Sequence, residues 1–116
     1  MAFKFESLQV WQRALDLTVD VNLLTKKFPK DELYVLTSQI KRAADSVVLN
    51  IAEGCTGQTN PVFKTFLGYS LRSAIEVVSC LFIGKKRAII DNVDFQKLYD
   101  EYQALTKMIT ALRNTL

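Results

Sequence analysis

Few side chains in this 116-residue sequence could do chemistry. It has no histidine, which removes the commonest general base and metal ligand. Its two cysteines are too few for a structural zinc site, which takes four Cys or His ligands. We expect Cys80 to be a core residue and Cys55 a loop thiol with no histidine to activate it. An enzyme would need a carboxylate pair, and Glu53 with Glu76 is the one candidate. With so few reactive groups, the sequence predicts a protein that is not an enzyme.

Net positive charge is concentrated between residues 55 and 90, where five basic residues accompany one acidic residue, although the whole chain has a formal net charge of only +3. On a helical wheel Lys64, Arg72 and Lys86 fall within about 80° of one another. Lys85, Lys86 and Arg87 form a cluster at the end of the same segment. Such a patch, repeated on several subunits, could contact nucleic-acid phosphates. The alternative is that these cations complement a helix dipole and keep the protein soluble.

A polar stripe lies on one side of the predicted second helix. It comprises Arg42, Ser46, Asn50 and Glu53. The stripe could line a functional groove. The interpretation we favour is a hydrogen-bonded network at a helix–helix or subunit contact, with Arg42 paired to Glu53 or Glu76, because buried charges need partners.

Four segments carry apolar residues at helical spacing, near 8–27, 32–53, 61–86 and 93–114. Ser7 is expected to cap the first, Gly54 to end the second, and Asn60-Pro61 to start the third. In the fourth, a bundle seam repeats at steps of three and four: Phe95, Leu98, Tyr102, Leu105, Ile109, Leu112 and Leu116. No hairpin signal is present. Short breaks favour one all-α domain over 1–116, an antiparallel up-down-up-down four-helix bundle.

The third segment has almost no polar face, which is typical of a helix buried nearly all round. In so small a domain this predicts a homo-oligomer whose interface draws on the first and third helices. The longest uncharged stretch, 54–63, is polar, so we expect no bilayer span. The N-terminus lacks an apolar signal region, which indicates a cytoplasmic protein.

Several strings resemble a known family in order and spacing. They are residues 8–14 (LQVWQRA), 28–34 (FPKDELY), 36–44 (LTSQIKRAA) and 50–54 (NIAEG), followed by Phe63, Phe66-Leu67, Ser73 and Glu76. Together they resemble the bacterial four-helix bundle family first known from open reading frames in intervening sequences of 23S rRNA genes. The resemblance implies a ring, typically a homopentamer, with no enzyme activity and no cofactor. A related member, the accessory protein of diversity-generating retroelements, is a basic pentamer that works with a reverse transcriptase and its RNA template.

Two departures from the family pattern move charge along the chain. The family often carries a basic residue where Gly57 stands and glycine where Arg72 stands.

The functional hypothesis from the sequence is a non-enzymatic, ring-forming protein that associates with RNA, DNA or a nucleic-acid enzyme. Its candidate contact residues are Lys64, Arg72, Lys85, Lys86 and Arg87. The alternative is a structural or protein-adaptor oligomer with no nucleic-acid role.

Overall fold

The chain folds into four α-helices. The computed structural model describes residues 2–57 and 59–116, so Met1 and Gln58 of the predicted domain lie outside it. The helices are α1 (Gln9–Thr25), α2 (Ser38–Cys55), α3 (Asn60–Lys86) and α4 (Asn92–Asn114). The described residues include no β-strand. The all-α prediction and its four helical segments are therefore confirmed.

The start of α1 differs from the prediction. Ser7 ends a short 3-10 turn, Lys4–Ser7, and its hydroxyl donates to the Lys4 carbonyl 3.0 Å away. Leu8 occupies the N-cap position, with extended backbone dihedral angles and no side-chain cap. The Gln12 side-chain amide instead donates to the Glu6 carbonyl at 2.7 Å, which ties the 3-10 turn to the first turn of α1.

The chain enters α2 through irregular helical turns. A 3-10 turn at Lys30–Glu32 leads into a π-helical turn at Leu33–Thr37, and regular α-helix begins only at Ser38. A π turn holds more residues than an α turn, so it changes the phase of the apolar stripe. The sequence predicts one apolar stripe that runs from Leu33 through Leu36 and Ile40, but Leu33 is 51% exposed, whereas Leu36 and Ile40 are buried.

The end of α2 corrects two predictions. The helix does not stop at Gly54 but continues through Cys55, and both residues are buried. Cys55 is therefore not a loop thiol. A Cβ atom at Gly54 would lie 2.5 Å from the Phe66 Cβ atom. The glycine allows α2 and α3 to approach closely rather than ending the helix.

Capping side chains begin the last two helices. The Thr59 hydroxyl accepts from the Val62 backbone N–H at 3.3 Å, so the cap of α3 lies one residue before the predicted Asn60. The Asp91 carboxylate accepts from the Asp94 backbone N–H at 2.7 Å at the start of α4. Both are standard side-chain caps for the first orphan N–H groups of a helix.

The loop from α3 to α4 contains a left-handed residue, Ala88, with φ of 59°. The Ile89 N–H donates to the Gly84 carbonyl at 2.8 Å, and the Ala88 N–H donates to the Lys85 carbonyl at 3.1 Å. These two bonds form a Schellman motif with Ala88 in the position that glycine usually occupies.

The core is built from all four helices. The predicted seam of α4 is buried from Phe95 to Ile109, whereas Leu112 and Leu116 at its C-terminal end are only half-buried. The largest fully buried side chains are Tyr102, Leu17, Leu36, Ile40, Ile51, Leu67, Leu81, Leu105, Ile109, Val21, Val47 and Val77. Ion pairs between Arg13 and Glu101, and between Lys27 and Asp94, join α1 to α4 at the surface.

Helix α3 is long and apolar enough to cross a membrane by length and composition, and it alone passes that test within the described residues. The absence of a long uncharged stretch did not reveal this property of α3, because Lys64, Arg72 and Glu76 interrupt its apolar sequence. Only 33% of its most apolar window is buried inside the chain. The buried residues of α3 include Leu67, Ala74, Val77 and Leu81, as expected of a helix that contributes to the core of a bundle.

Candidate functional site

Three of the five predicted basic residues lie along one ridge of α3. Lys64, Arg72 and Lys86 are all exposed, and the helix is continuous from Asn60 to Lys86. With a rise of 1.5 Å per residue, Lys64 and Lys86 are about 33 Å apart along the helix. The 80° arc of the helical wheel therefore applies to the folded chain. The structure places these cations in a line rather than in a compact pocket.

The cluster at the end of α3 is divided between structural and exposed roles. Lys85 Nζ lies 4.4 Å from the centre of the Phe95 ring, a cation–π contact between α3 and α4. Lys86 is exposed in the last turn, and Arg87 is exposed at the C-cap. Cations in the last turn complement the helix dipole, so the structural alternative applies to this cluster as well.

Sequence reasoning missed Arg113. From the end of α4, its Nε atom donates to the Lys64 carbonyl at 3.2 Å. Its guanidinium also lies near Gly68, at 3.7 Å from the position of a Cβ atom there. Arg113 therefore adds a cation beside the Lys64 end of the ridge. No local signal could reveal this, because the two residues are 49 positions apart.

At the other end of the ridge, Lys27 and Lys85 line the same surface hollow, beside the α3–α4 loop. Lys27 Nζ is 3.0 Å from an Asp94 carboxylate oxygen. The hydrogen bond to Asp94, followed by the charge of that carboxylate, raises the pKa of Lys27. Lys27 is thus fully protonated at neutral pH, but its charge is already matched by Asp94.

The polar stripe of α2 divides into two parts. Ser46 and Ser73 hydroxyl oxygens are 2.8 Å apart across the α2–α3 contact. The Asn50 amide donates to the Ser46 carbonyl at 2.9 Å and to its hydroxyl at 3.0 Å. All three side chains are half-buried. This part is a hydrogen-bonded contact between α2 and α3, as predicted. Ser73 takes part in the contact, although the predicted polar network did not include it.

The charged members of the stripe are exposed. Arg42, Glu53 and Glu76 all face solvent, and Arg42 forms no ion pair with either glutamate among the residues that the structure describes. Arg42 and Glu53 instead line an open groove of about 700 Å³ on the outer face of α2. Its apolar lining comes from Leu33, Tyr34 and Leu49.

The candidate carboxylate pair is not assembled within one chain. Glu53 is next to Gly54, which packs on Phe66, whereas Glu76 lies ten residues further along α3. That offset is a rise of about 15 Å. Two catalytic carboxylates that act on one bond are typically about 5–10 Å apart.

Neither thiol is activated. Cys80 is buried in α3, as predicted, and burial followed by the charge of Glu76 raises its pKa to about 11. Burial also raises the pKa of Cys55, against a smaller opposing effect of Lys4. The nucleophilic form of cysteine is the thiolate, which these environments disfavour. Within 2–57 and 59–116, no group of three or more His, Cys, Asp or Glu residues could hold a metal ion.

Comparison with known proteins gives a family and a fold. A family model described as the 23S rRNA-intervening sequence protein matches residues 6–111. None of the curated proteins searched matches the chain. Among solved structures, the chain is similar to a protein of unknown function from the S23 ribosomal protein family of Bacteroides thetaiotaomicron. The TM-score is 0.82 at 22% identity, over 90% of this chain and 97% of that one.

Proposed function

The chain belongs to the 23S rRNA-intervening sequence protein family, and we propose that it is a non-enzymatic, cytoplasmic protein whose bundles assemble as a ring and bind RNA. The observation that carries the RNA proposal is the exposed basic ridge of α3. It presents Lys64, Arg72 and Lys86 over about 33 Å of helix. Arg113 extends this surface onto α4.

An antiparallel, up-down-up-down arrangement is the first part of the proposal. In contacts between α2 and α3, rising numbers on one helix meet falling numbers on the other. Leu36 lies near Gly84, Val47 accepts from Ser70, and Gly54 lies near Phe66. The two ion pairs between α1 and α4 follow the same order, because Arg13 meets Glu101 and Lys27 meets Asp94.

Assembly as a homo-oligomer is the second part, with a pentameric ring favoured by the family resemblance. Large apolar side chains remain exposed on α1, on α2 with its entry turn, and on α3, whereas on α4 Val93 alone is highly exposed among the described residues. A contiguous apolar surface on a small domain marks an interaction site. We assign α3 to a bundle rather than to a membrane, because its core face packs within the chain.

Binding through the phosphate backbone is the third part. No base-reading motif is visible in the sequence, so recognition would follow shape and charge. The ridge of one subunit offers only a few cations. A ring would repeat the ridge and engage several phosphates at once, which raises the overall affinity without any new contact.

The test is fluorescence anisotropy with labelled single-stranded and duplex RNA of unrelated sequences. We expect binding in about 50 mM salt that weakens steeply as counterions are released at higher salt. The double variant Lys86→Glu/Arg87→Glu should reduce affinity for every sequence. Lys97→Glu/Lys107→Glu, on exposed positions of α4, makes the same change in net charge and is the matched control.

Equal loss of affinity in both double variants would mean that net charge, not the ridge, attracts RNA. Absence of RNA and DNA binding by the wild-type oligomer in about 50 mM salt, where phosphate contacts are strong, would overturn the RNA proposal. The protein would then be a structural or adaptor oligomer. That function is favoured by the mixed apolar and charged groove of α2.

A further inference from the structure

Arg113 is held in one position on the surface of α3. From the last turn of α4, its Nε–H donates to the Lys64 carbonyl at 3.2 Å. An arginine carries five N–H donors, so four remain on the two Nη atoms. Among the residues that the structure describes, Arg113 is exposed and forms no ion pair. Its Nη groups are therefore available to an acceptor from outside the chain.

Gly68 provides the space in which this guanidinium lies. A Cβ atom at Gly68 would be 3.7 Å from Arg113 Nη2 and 3.9 Å from Arg113 Cζ. These are ordinary contact distances, so an alanine would fit, but a longer side chain would compete with the guanidinium for the same space. The bare backbone of Gly68 thus allows the arginine to lie against α3.

Lys64 and Arg72 lie on either side of Gly68. Each is four residues away, which is about 6 Å of rise and a turn of about 40° in opposite directions. Both are exposed, and neither belongs to an ion pair within residues 2–57 and 59–116. Their long side chains can extend toward the space beside Gly68, where the Arg113 guanidinium lies. Three cations thus surround one point of the basic ridge.

No carboxylate side chain interrupts this part of the sequence. The hydrogen bond of Arg113 joins the first half of α3 to the last half of α4. Residues 60–75 and 102–116, which cover these halves, contain no Asp or Glu. The first carboxylate beyond them on α3 is Glu76, about 12 Å of rise from Gly68. A surface with clustered cations and no carboxylate favours an anionic ligand.

We propose that Arg113 binds a backbone phosphate of RNA end-on through its two Nη groups, with Lys64 and Arg72 on either side. This inference rests on the proposed function and names the point on the basic ridge at which a phosphate is held. Bidentate arginine–phosphate pairs add geometric specificity to the attraction of charge. Because the bond to Lys64 holds the planar group before RNA arrives, little side-chain freedom is lost on binding.

A purely structural Arg113 makes different predictions. A cation in the last turn of α4 complements the helix dipole, and the bond to Lys64 ties α4 to α3. Replacing such a residue would lower the free energy of unfolding and leave RNA affinity unchanged. Affinity and its salt dependence therefore distinguish the two roles, and urea unfolding of each variant measures the structural part.

The first test measures fluorescence anisotropy with a labelled single-stranded uridine oligonucleotide. Arg113→Gln should raise the dissociation constant about tenfold in about 50 mM salt, because a hydrogen bond to a charged group is lost. The logarithmic salt slope should fall by about 0.7, the value for one phosphate on a single strand. Arg113→Lys keeps the charge, so its slope should match the wild type, but it loses the planar fork and should still bind more weakly.

Lys107→Gln is the matched control for loss of charge. Lys107 is exposed on the same helix, about 120° around α4 from Arg113 on an ideal helix. It lines a separate surface hollow with Thr110 and Asn114. Removing this charge should change the dissociation constant less than about threefold, because salt screens exposed charges that do not touch the phosphate.

A pair of variants at Gly68 tests position without any change in net charge. Alanine and methionine both favour a helix more than glycine does. Gly68→Ala leaves the guanidinium in place and should bind RNA like the wild type. Gly68→Met fills the space beside α3, so it should displace Arg113 and weaken binding toward the level of Arg113→Gln. Light scattering should give the wild-type mass for both variants.

The outcomes separate this inference from the proposed function. Absence of RNA binding by the wild type would overturn both. Wild-type affinity in Arg113→Gln and Gly68→Met, with weaker binding by Lys86→Glu/Arg87→Glu, would overturn the Arg113 site and leave the ridge standing. Equal losses in Arg113→Gln and Lys107→Gln would also overturn it. If Arg113→Gln loosens the fold or the assembly, Gly68→Met decides, because it retains the arginine.

Discussion

The close approach of α2 and α3 at Gly54 predicts opposite effects of the same substitution at two glycines. An added Cβ atom at Gly54 would lie 2.5 Å from Phe66 Cβ and 3.1 Å from Phe63 Cδ1. The Phe66 Cβ atom is fixed to the α3 backbone, so the two helices would have to separate. At Gly68 the nearest neighbour is the mobile end of Arg113, at an ordinary contact distance of 3.7 Å.

The magnitudes follow from propensity and packing. Alanine is favoured over glycine inside a helix by about 0.8–1.0 kcal/mol. Gly68 lies well inside α3, so Gly68→Ala should raise the free energy of unfolding by most of this difference. Gly54 is the last but one residue of α2 and gains less. Overpacking costs about 1–3 kcal/mol. Gly54→Ala should therefore lose about 1–2 kcal/mol, a separation of about 2–3 kcal/mol between the two variants.

Urea unfolding followed by far-UV circular dichroism measures both changes. The midpoint should fall for Gly54→Ala and rise for Gly68→Ala, with an unchanged slope. All samples need one protomer concentration, because assembly makes apparent stability depend on concentration. If Gly54→Ala is as stable as Gly68→Ala, then Gly54 does not set the α2–α3 distance, and the packing argument is wrong.

Three further predictions concern single residues. Ala88→Gly should raise the free energy of unfolding by about 0.5–1 kcal/mol, measured by urea titration, because glycine adopts positive φ without steric cost. Tyr102→Phe should be neutral or stabilising in the same assay, because the buried hydroxyl has no hydrogen-bond partner in the described structure. Burial, with smaller effects of Asp20 and Asp45, also raises the pKa of that hydroxyl. Burial raises the pKa of Cys80 from its ordinary 9.0 to about 11, so the contribution of the neutral thiol to stability, complete below pH 9, should be lost as the pH rises to about 11. Urea midpoints of wild type and Cys80→Ala across that range check this, and the wild type should lose stability more steeply.

The helices could be predicted because their signal is local. The α4 seam, from Phe95 to Ile109, repeats at helical spacing and is buried as predicted. The errors arise where one residue type serves two purposes. Gly54 looks like a helix stop but serves a close helix–helix contact. Leu33 fits the α2 stripe by spacing, yet the π turn takes it out of phase and exposes it.

The candidate surfaces were less accessible to sequence reasoning, because they depend on which helices become neighbours. Lys64, Arg72 and Lys86 share one helix, so their ridge was predictable. Arg113 joins it only through the α3–α4 contact. The exposure of Arg42 and Glu53 was equally hidden, because a polar stripe has the same pattern whether it is covered or open.

Assembly and RNA binding are linked by the small number of cations on each ridge. A single ridge contacts few phosphates, so appreciable affinity for RNA depends on several ridges in one particle. Leu23→Arg places a charge on the exposed apolar side of α1, away from the α3 ridge, and adds positive charge. A direct charge effect would therefore strengthen RNA binding, whereas loss of assembly would weaken it. Weaker binding by Leu23→Arg would show that RNA affinity follows assembly. Stronger binding by a monomeric Leu23→Arg chain would show that one ridge is enough.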